Sequence, residues 1–125
     1  METKEFYCYD KLMKIIERNI SIKELKDMAK KMFGNFVKAV VDIEKEIMAV
    51  DGELHADEEK LLLDDGSKQQ DLWGINIFPE QKNTERIEFD SVINLRPRQK
   101  NMTRGVNDSK IRKKITEITD KLIKQ

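Results

Sequence analysis

The chain has little of the chemistry that marks a secreted scaffold or a membrane protein. Cys8 is the only cysteine among 125 residues, which excludes an internal disulfide and a cysteine-rich zinc site within one chain. No apolar run approaches the roughly 18 residues of a transmembrane helix. The start, METKEFYCYD, also lacks the apolar core of a signal peptide. These absences predict a soluble cytoplasmic protein without a membrane segment.

A net charge is also missing, although the charges are unevenly placed. The 24 basic and 24 acidic residues cancel, but residues 42–65 hold 10 acids and two bases, whereas residues 96–125 hold 10 bases and three acids. The acidic middle and the basic tail can neutralise each other within one fold or across a homodimer. A neutral chain does not favour nucleic acid, and no aromatic residue is interleaved with the basic tail to stack on bases.

Apolar periodicity predicts the order β-α-β-β-α-β, followed by an extra strand and a C-terminal helix. The predicted elements are strand 12–18, helix 22–33, paired strands 36–43 and 46–52, helix 54–65, strands 71–78 and 86–96, and helix 109–123. The first six match the ferredoxin-like order. We therefore expect an α+β two-layer sandwich with helices on one face of the sheet. Residues 12–125 would form this single domain, and residues 1–11 an N-terminal extension.

Local signals refine these elements. Ser21 and Glu24 predict a capping box before the first helix, and Gly34 and Gly66 predict the ends of the first two helices. The second helix should turn its leucines inward, and the last helix should dock by an apolar stripe. The leucines are Leu54, Leu61 and Leu62, and the stripe is Ile111, Ile115, Ile118 and Leu122. The last strand should bury its odd-numbered residues, and the uncovered face of the sheet should show Asn76, Asp90, Asn94 and Arg96 to solvent or to a partner.

One candidate site surrounds His55, the only histidine, in GELHADEEKLLLDDG. His55, Glu58 and Glu59 are candidate metal ligands, because a helix places positions i, i+3 and i+4 together and a hard divalent cation binds carboxylates. Glu53, His55 and Asp57 are candidate acid–base residues. A metal-assisted hydrolase would use Glu53, His55, Asp57 and Glu59. The alternative is an acid-rich helix start that the helix dipole stabilises. No cofactor other than this divalent metal is indicated.

The second candidate site is the basic segment after the last predicted strand. Asn94, Arg96, Arg98 and Asn101 are candidate ligands for an anion, because arginine forks bind phosphate and carboxylate groups. The favoured function is a binding or regulatory module that recognises an anionic ligand or a protein partner through the polar sheet face and this loop. The hydrolase is one alternative, and a structural homodimer is another.

Four sequence runs, GELHAD, GSKQ, DLWGIN and INLRP, carry a resemblance to a known family. The chain resembles a family of small prokaryotic proteins catalogued only as a domain of unknown function. The resemblance covers residues 12–123 and implies a single intracellular prokaryotic domain. It implies no activity, ligand or catalytic residue.

Overall fold

The computed structural model describes residues 3–8 and 11–125, with the side chains of residues 13–82 and 84–125. The helices are α1 (Ile22–Lys31), α2 (His55–Asp64) and α3 (Ser109–Leu122). The strands are β1 (Thr3–Cys8), β2 (Lys11–Ile16), β3 (Ile20–Ser21), β4 (Val37–Asp42), β5 (Ile47–Val50), β6 (Leu72–Ile77), β7 (Ile87–Glu88) and β8 (Ile123–Lys124). Residues 3–8 of the predicted extension thus form β1, and residues 1, 2, 9 and 10 lie outside the described residues.

The main sheet has the order β1-β2-β5-β4-β6-β7, and every neighbouring pair is antiparallel. β2 and β4 are therefore parallel and connected through α1, while β5 and β6 are parallel and connected through α2. Both connections step across the sheet in the same direction, but they start from strands that point in opposite directions. Since such crossovers are right-handed, α1 and α2 must lie on opposite faces.

The α+β class and the order of the elements are confirmed, but the expectation that all helices cover one face is wrong. α1 and α3 pack on the first face, and α2 packs on the second. The ferredoxin-like arrangement would place the final strand beside the first. Here β6 pairs with β4 instead, and β1 occupies the free edge of β2. Because β6 lies beside β4 and not beside β2, the connection through α2 crosses the second face of the sheet.

Apolar clusters fill both interfaces between helices and sheet. On the first face the cluster includes Leu25, Met28, Trp73, Ile75, Ile77, Ile115, Ile118 and Leu122. On the second face it includes Ile15, Val40, Ile47, Ala49, Leu62 and Leu72. The predicted docking of the last helix through its isoleucine stripe is confirmed by the first of these clusters.

The predicted helix ends are also confirmed. The Glu24 backbone N–H donates to Ser21 Oγ at 3.1 Å, which satisfies one of the free amides at the start of α1. Gly34 and Gly66 have φ values of +94° and +102°. A left-handed residue closes a helix there, and glycine adopts that conformation without a Cβ clash. Among the helices of the described residues, none is long and apolar enough to cross a membrane.

The predicted strand over residues 86–96 is wrong beyond its first residues. Only Ile87–Glu88 pair with β6, and residues 92–94 and 97–99 form short 3₁₀ turns. The prediction that Leu54 faces inward is also wrong. Leu54 is exposed, and His55 and Glu58 face the sheet instead. Side chains from residues 91–101 bind the edge of β6 and so replace a longer strand.

Candidate functional site

A buried polar network covers the second face beside α2. Asn94 is fully buried, and its side chain pairs with both backbone groups of Gly74. The Gly74 N–H donates to Asn94 Oδ1 at 2.9 Å, and Asn94 Nδ2 donates to the Gly74 carbonyl at 3.0 Å. The same Nδ2 donates to the carbonyl of Arg104 at 2.9 Å. One carboxamide thus satisfies both backbone groups of Gly74, which would otherwise be buried without a partner, and gives a second donor to the Arg104 carbonyl, which also accepts from the Ser91 N–H at 2.9 Å.

Arg96 ties the same segment to the beginning of β6. Its guanidinium donates to the backbone carbonyls of Ile93 (3.0 Å), Gln69 (2.8 Å) and Leu72. It lies 4.6 Å from the centre of the Trp73 ring and 3.8 Å from the carboxylate of Glu59. Arg96 is only 8% exposed, and burial lowers its pKa while Glu59 opposes that effect. The guanidinium of Arg96 therefore donates its hydrogen bonds within this chain.

Asn101 closes the turn that follows Arg96. Residues 96 and 101 form an antiparallel bridge, and the backbone N–H of Arg96 donates to the carbonyl of Asn101 at 2.8 Å. Asn101 Nδ2 donates to the carbonyls of Asn94 and Gly105, each at 2.8 Å. The segment is therefore held by side-chain bonds to backbone groups from both of its ends.

The predicted anion ligands separate into two groups. Asn94, Arg96 and Asn101 are buried, which corrects the expectation that Asn94 and Arg96 face solvent. Arg98 is exposed, as is Lys100 beyond it. Within the described residues, neither of these two cations has a hydrogen bond or ion pair that would neutralise it. Anion binding stays a prediction, and at this segment Arg98 and Lys100 are the side chains open to solvent.

The other expected polar positions of this face also have partners within the chain. Asn76 is buried, and its Nδ2 donates to Glu88 Oε1 at 2.8 Å. Asp90 is half-buried and forms an ion pair with Arg104 at 2.6 Å.

The acidic middle and the basic tail also meet within the fold, where Glu46 binds Lys114 at 3.0 Å.

His55 and Glu58 point from α2 toward the sheet. His55 Nε2 lies 2.8 Å from the carbonyl of Ile75, and burial lowers the pKa of this histidine despite that bond. The Gly52 N–H donates to Glu58 Oε2 at 2.9 Å, but burial raises the Glu58 pKa well above its usual value. Burial thus favours the neutral form of both side chains. Glu58 Oε1 is buried and has no hydrogen-bond partner among the described residues.

The predicted metal and catalytic residues do not point to one place. His55 and Glu58 face the sheet, Glu59 faces Arg96, Glu53 is exposed and Asp57 is half-buried. Among the side chains that the structure describes, no three of the histidine, cysteine, aspartate or glutamate type form a group that could hold a metal ion. The divalent metal and the hydrolase stay predictions.

One surface is apolar and open to solvent, and the sequence reasoning missed it. We call it the apolar strip. The large apolar side chains of the described residues that are more than a third exposed are Leu54, Leu63, Val92, Leu95 and Met102, at 38–65% exposure. The strip consists of Leu63, Val92, Leu95 and Met102. Exposure of this kind depends on which element covers which, so no periodicity signal could have identified it.

Backbone geometry brings these side chains together. The Leu95 N–H donates to the Val92 carbonyl at 3.1 Å, and positions i and i+3 of a 3₁₀ turn share one side. The bridge between residues 96 and 101 places Leu95 opposite Met102. Since Arg96 and Asn101 face inward, their neighbours Leu95 and Met102 face outward.

Leu63 of α2 lies beside the strip, next to a pair of buried residues. Leu63 lies one turn after Glu59, which contacts Arg96, the residue after Leu95. Leu54 precedes His55, and Val92 follows Ser91. A Cβ placed on Gly74 would meet His55 Cδ2 at 3.2 Å and Ser91 Cβ at 2.6 Å. His55 and Ser91 thus meet above Gly74.

These features define the class: a mixed α/β domain with a hydrogen-bonded polar face and one exposed apolar strip. The chain belongs to the family described as Protein of unknown function (DUF5674), whose model matches residues 14–122. This match confirms the family resemblance and contains every residue of the strip. No curated protein and no solved structure matches the chain.

Proposed function

We propose that the protein is a binding module that docks a protein partner on the apolar strip. The observation that carries the proposal is that the backbone brings the exposed side chains of Val92, Leu95 and Met102 to one side of the same segment. Single exposed apolar residues are ordinary on soluble proteins. A contiguous group marks an interaction surface far more often.

The backbone below the strip is already ordered. Arg96 and Asn101 hold the 91–101 segment through hydrogen bonds to carbonyls on both sides of it. A surface that is ordered before binding avoids the entropy loss of ordering a loop during association. Val92, Leu95 and Met102 are therefore presented in a fixed arrangement, as an efficient docking surface requires.

The charges beside the strip define the chemistry of the partner. Arg98 and Lys100 are exposed at the turn that ends next to Leu95 and Met102. Exposed cations at the rim of an interface select acidic side chains and accelerate association. The partner surface in this proposal is apolar at its centre and acidic beside it. The cytoplasmic location predicted from the sequence remains part of the proposal.

Site-specific photo-crosslinking in cells tests this function. A benzoylphenylalanine is placed at Val92 or Met102, and in a matched control at Lys113, an exposed position on α3. We expect a discrete protein adduct from both strip positions that Leu95→Glu abolishes, and no such adduct from Lys113. If neither strip position gives an adduct, or Lys113 gives the same one, the proposed function is wrong.

A further inference from the structure

We propose that the groove between α3 and the loop of residues 78–86 binds a sugar phosphate. None of the residues that line this groove belongs to the apolar strip, so the inference goes beyond the proposed function. The groove has a volume of about 540 Å³, which is in the range of pockets that hold small-molecule ligands. Its lining residues are Lys82, Thr84, Arg86, Thr116, Asp120 and Gln125.

Hydrogen bonds within the loop order the backbone that carries its two cations. The Phe78 N–H donates to the carbonyl of Arg86 at 2.8 Å, and the Gln81 N–H donates to the carbonyl of Phe78 at 3.0 Å. The Glu85 N–H donates to the carbonyl of Lys82 at 3.2 Å. Arg86 Nε donates to the carbonyl of Gln81 at 3.1 Å. That bond orients the guanidinium and leaves the donors of its two terminal nitrogens for a ligand.

The loop side of the groove provides positive charge and donors. Among the described side chains, neither Lys82 nor Arg86 forms an ion pair. An arginine fork binds phosphate through two parallel hydrogen bonds, and a lysine adds a point charge. A phosphate monoester carries close to two negative charges at neutral pH, which these two cations neutralise, whereas a carboxylate would match only one of them. Thr84 adds a hydroxyl from the same loop.

The helix side of the groove provides acceptors. Thr116 and Asp120 are one turn apart on α3 and line the groove together. Thr116 Oγ1 donates its proton to the carbonyl of Arg112 at 2.9 Å, so toward a ligand this hydroxyl oxygen can only accept. The Asp120 carboxylate is exposed and is also an acceptor. Both accept hydrogen bonds from the hydroxyl groups of a sugar, and the negative charge of Asp120 repels a phosphate from this side.

The different chemistry of the two sides therefore selects the ligand and its orientation. The phosphate lies against the loop, and the hydroxyl groups lie against α3. The amide of Gln125 offers both a donor and an acceptor, and either can bind a hydroxyl group. None of the lining residues named above is aromatic, so a nucleobase would have no ring to stack on. These features favour a sugar phosphate over a nucleotide.

Titration of the full chain with ribose 5-phosphate, inorganic phosphate and ribose tests the proposal. We expect ribose 5-phosphate to bind at least about tenfold more tightly than either fragment, because only the whole molecule reaches both sides of the groove. In nitrogen-edited NMR spectra its shift changes should map to residues 81–86 and 116–121. Binding no tighter than that of inorganic phosphate, or shift changes confined to the 96–101 turn, would overturn the proposal.

Variants of the loop test the phosphate contact by calorimetry. Arg86→Ala and Lys82→Ala should each raise the Kd of ribose 5-phosphate about tenfold or more, since each removes a charged hydrogen bond. Lys82 is exposed, so its replacement leaves the loop folded even if that of Arg86 does not. Arg98→Ala removes an exposed cation outside the groove and is the matched control. An unchanged Kd in Lys82→Ala, or an equal loss in Arg98→Ala, would show that the phosphate does not bind here.

Asp120→Ala tests the sugar contact separately. It should raise the Kd of ribose 5-phosphate about tenfold, because an acceptor for the hydroxyl groups is lost. Inorganic phosphate should bind no more weakly than before, since the variant removes a negative charge from the groove. An equal effect on the two ligands would overturn the placement of the sugar against α3. These variants leave the apolar strip intact, so the crosslinking result and this one stand or fail separately.

Discussion

Asn94 takes the place of a neighbouring strand beside Gly74. Its side-chain amide accepts a hydrogen bond from the Gly74 N–H and donates one to the Gly74 carbonyl, at 2.9 and 3.0 Å. β7 pairs with the opposite end of β6, at Asn76 and Ile77. The sheet therefore ends at Gly74 with its hydrogen bonds satisfied. The segment after β7 is free to cross the second face and to build the apolar strip.

Removing this pairing should destabilise the fold. Asn94→Ala leaves both buried backbone groups of Gly74 without a partner, each of which costs about 1–3 kcal/mol. We expect a loss of roughly 3 kcal/mol in the free energy of unfolding, measured by urea denaturation at pH 7. Asn35→Ala, an exposed asparagine, should change it by less than about 0.5 kcal/mol. Equal losses for the two variants would contradict the strand-like role of Asn94.

Gly74 is required because other atoms occupy the space of a side chain. A Cβ there would lie 2.6 Å from both Cβ and Oγ of Ser91. Gly74→Ala should therefore cost about 1–3 kcal/mol, as overpacked substitutions do. Adding Ser91→Gly should recover part of that loss in a double-mutant cycle. Gly105→Ala is the control, since its added Cβ meets only ordinary contacts at 3.4 Å or more, and simple additivity in the cycle would refute the steric explanation.

Glu58 should make stability fall as pH rises. Burial raises its folded pKa well above 4.5, its ordinary value. From pH 4.5 up to the raised pKa, the folded chain holds a proton that the unfolded chain releases. The free energy of unfolding then falls by up to about 1.4 kcal/mol per pH unit.

Glu58→Gln should remove this slope and be more stable than the wild type at pH 8, because an amide keeps an acceptor for the Gly52 N–H without a titrating charge. Denaturant unfolding of both proteins between pH 4.5 and pH 8 measures the difference. Parallel curves would show that Glu58 does not titrate in the folded chain as its burial requires.

Glu46 should titrate far below an ordinary glutamate. Hydrogen bonds from Lys121 and Lys114 lower its pKa from 4.5 to about 2. Since the folded pKa is lowered, the stability that this group contributes is present above pH 4.5 and is lost as pH falls toward 2. Carbon-detected NMR titration measures the pKa directly. Lys114→Ala with Lys121→Ala should return it toward 4.5, whereas Lys113→Ala should not, and an unchanged value in the double variant would exclude the lysines as the cause.

Patterns within short stretches of the chain predicted most of the elements. Ser21, Gly34 and Gly66 marked helix ends correctly, because caps depend on residues within one turn of the end. The alternation in residues 71–78 identified β6, since every second side chain of a strand enters the same layer. The uneven distribution of charge along the sequence was informative as well, because Glu46 in the acidic middle forms an ion pair with Lys114 in the basic tail.

The candidate site was predicted less well for a physical reason. The alternation in residues 86–96 resembles a strand, yet Arg96 binds the backbone carbonyls of Gln69 and Leu72, which lie far earlier in the chain. Such long-range bonds outweigh local strand preference. Through them the Arg96 guanidinium donates to carbonyls of its own chain, and anion binding at this segment stays a prediction. The side chain of Leu95 was predicted to face inward, but it is exposed.

By itself the sequence determined the α+β composition, the helix caps, the central strands and the separation of charge, because these depend on neighbours along the chain. Only the tertiary structure decided that α2 lies on the second face, since that follows from β6 pairing with β4 rather than with β2. It also decided that His55 and Glu58 are buried while Val92 and Leu95 are exposed. Burial is a property of elements packed together, and no single stretch of sequence contains it.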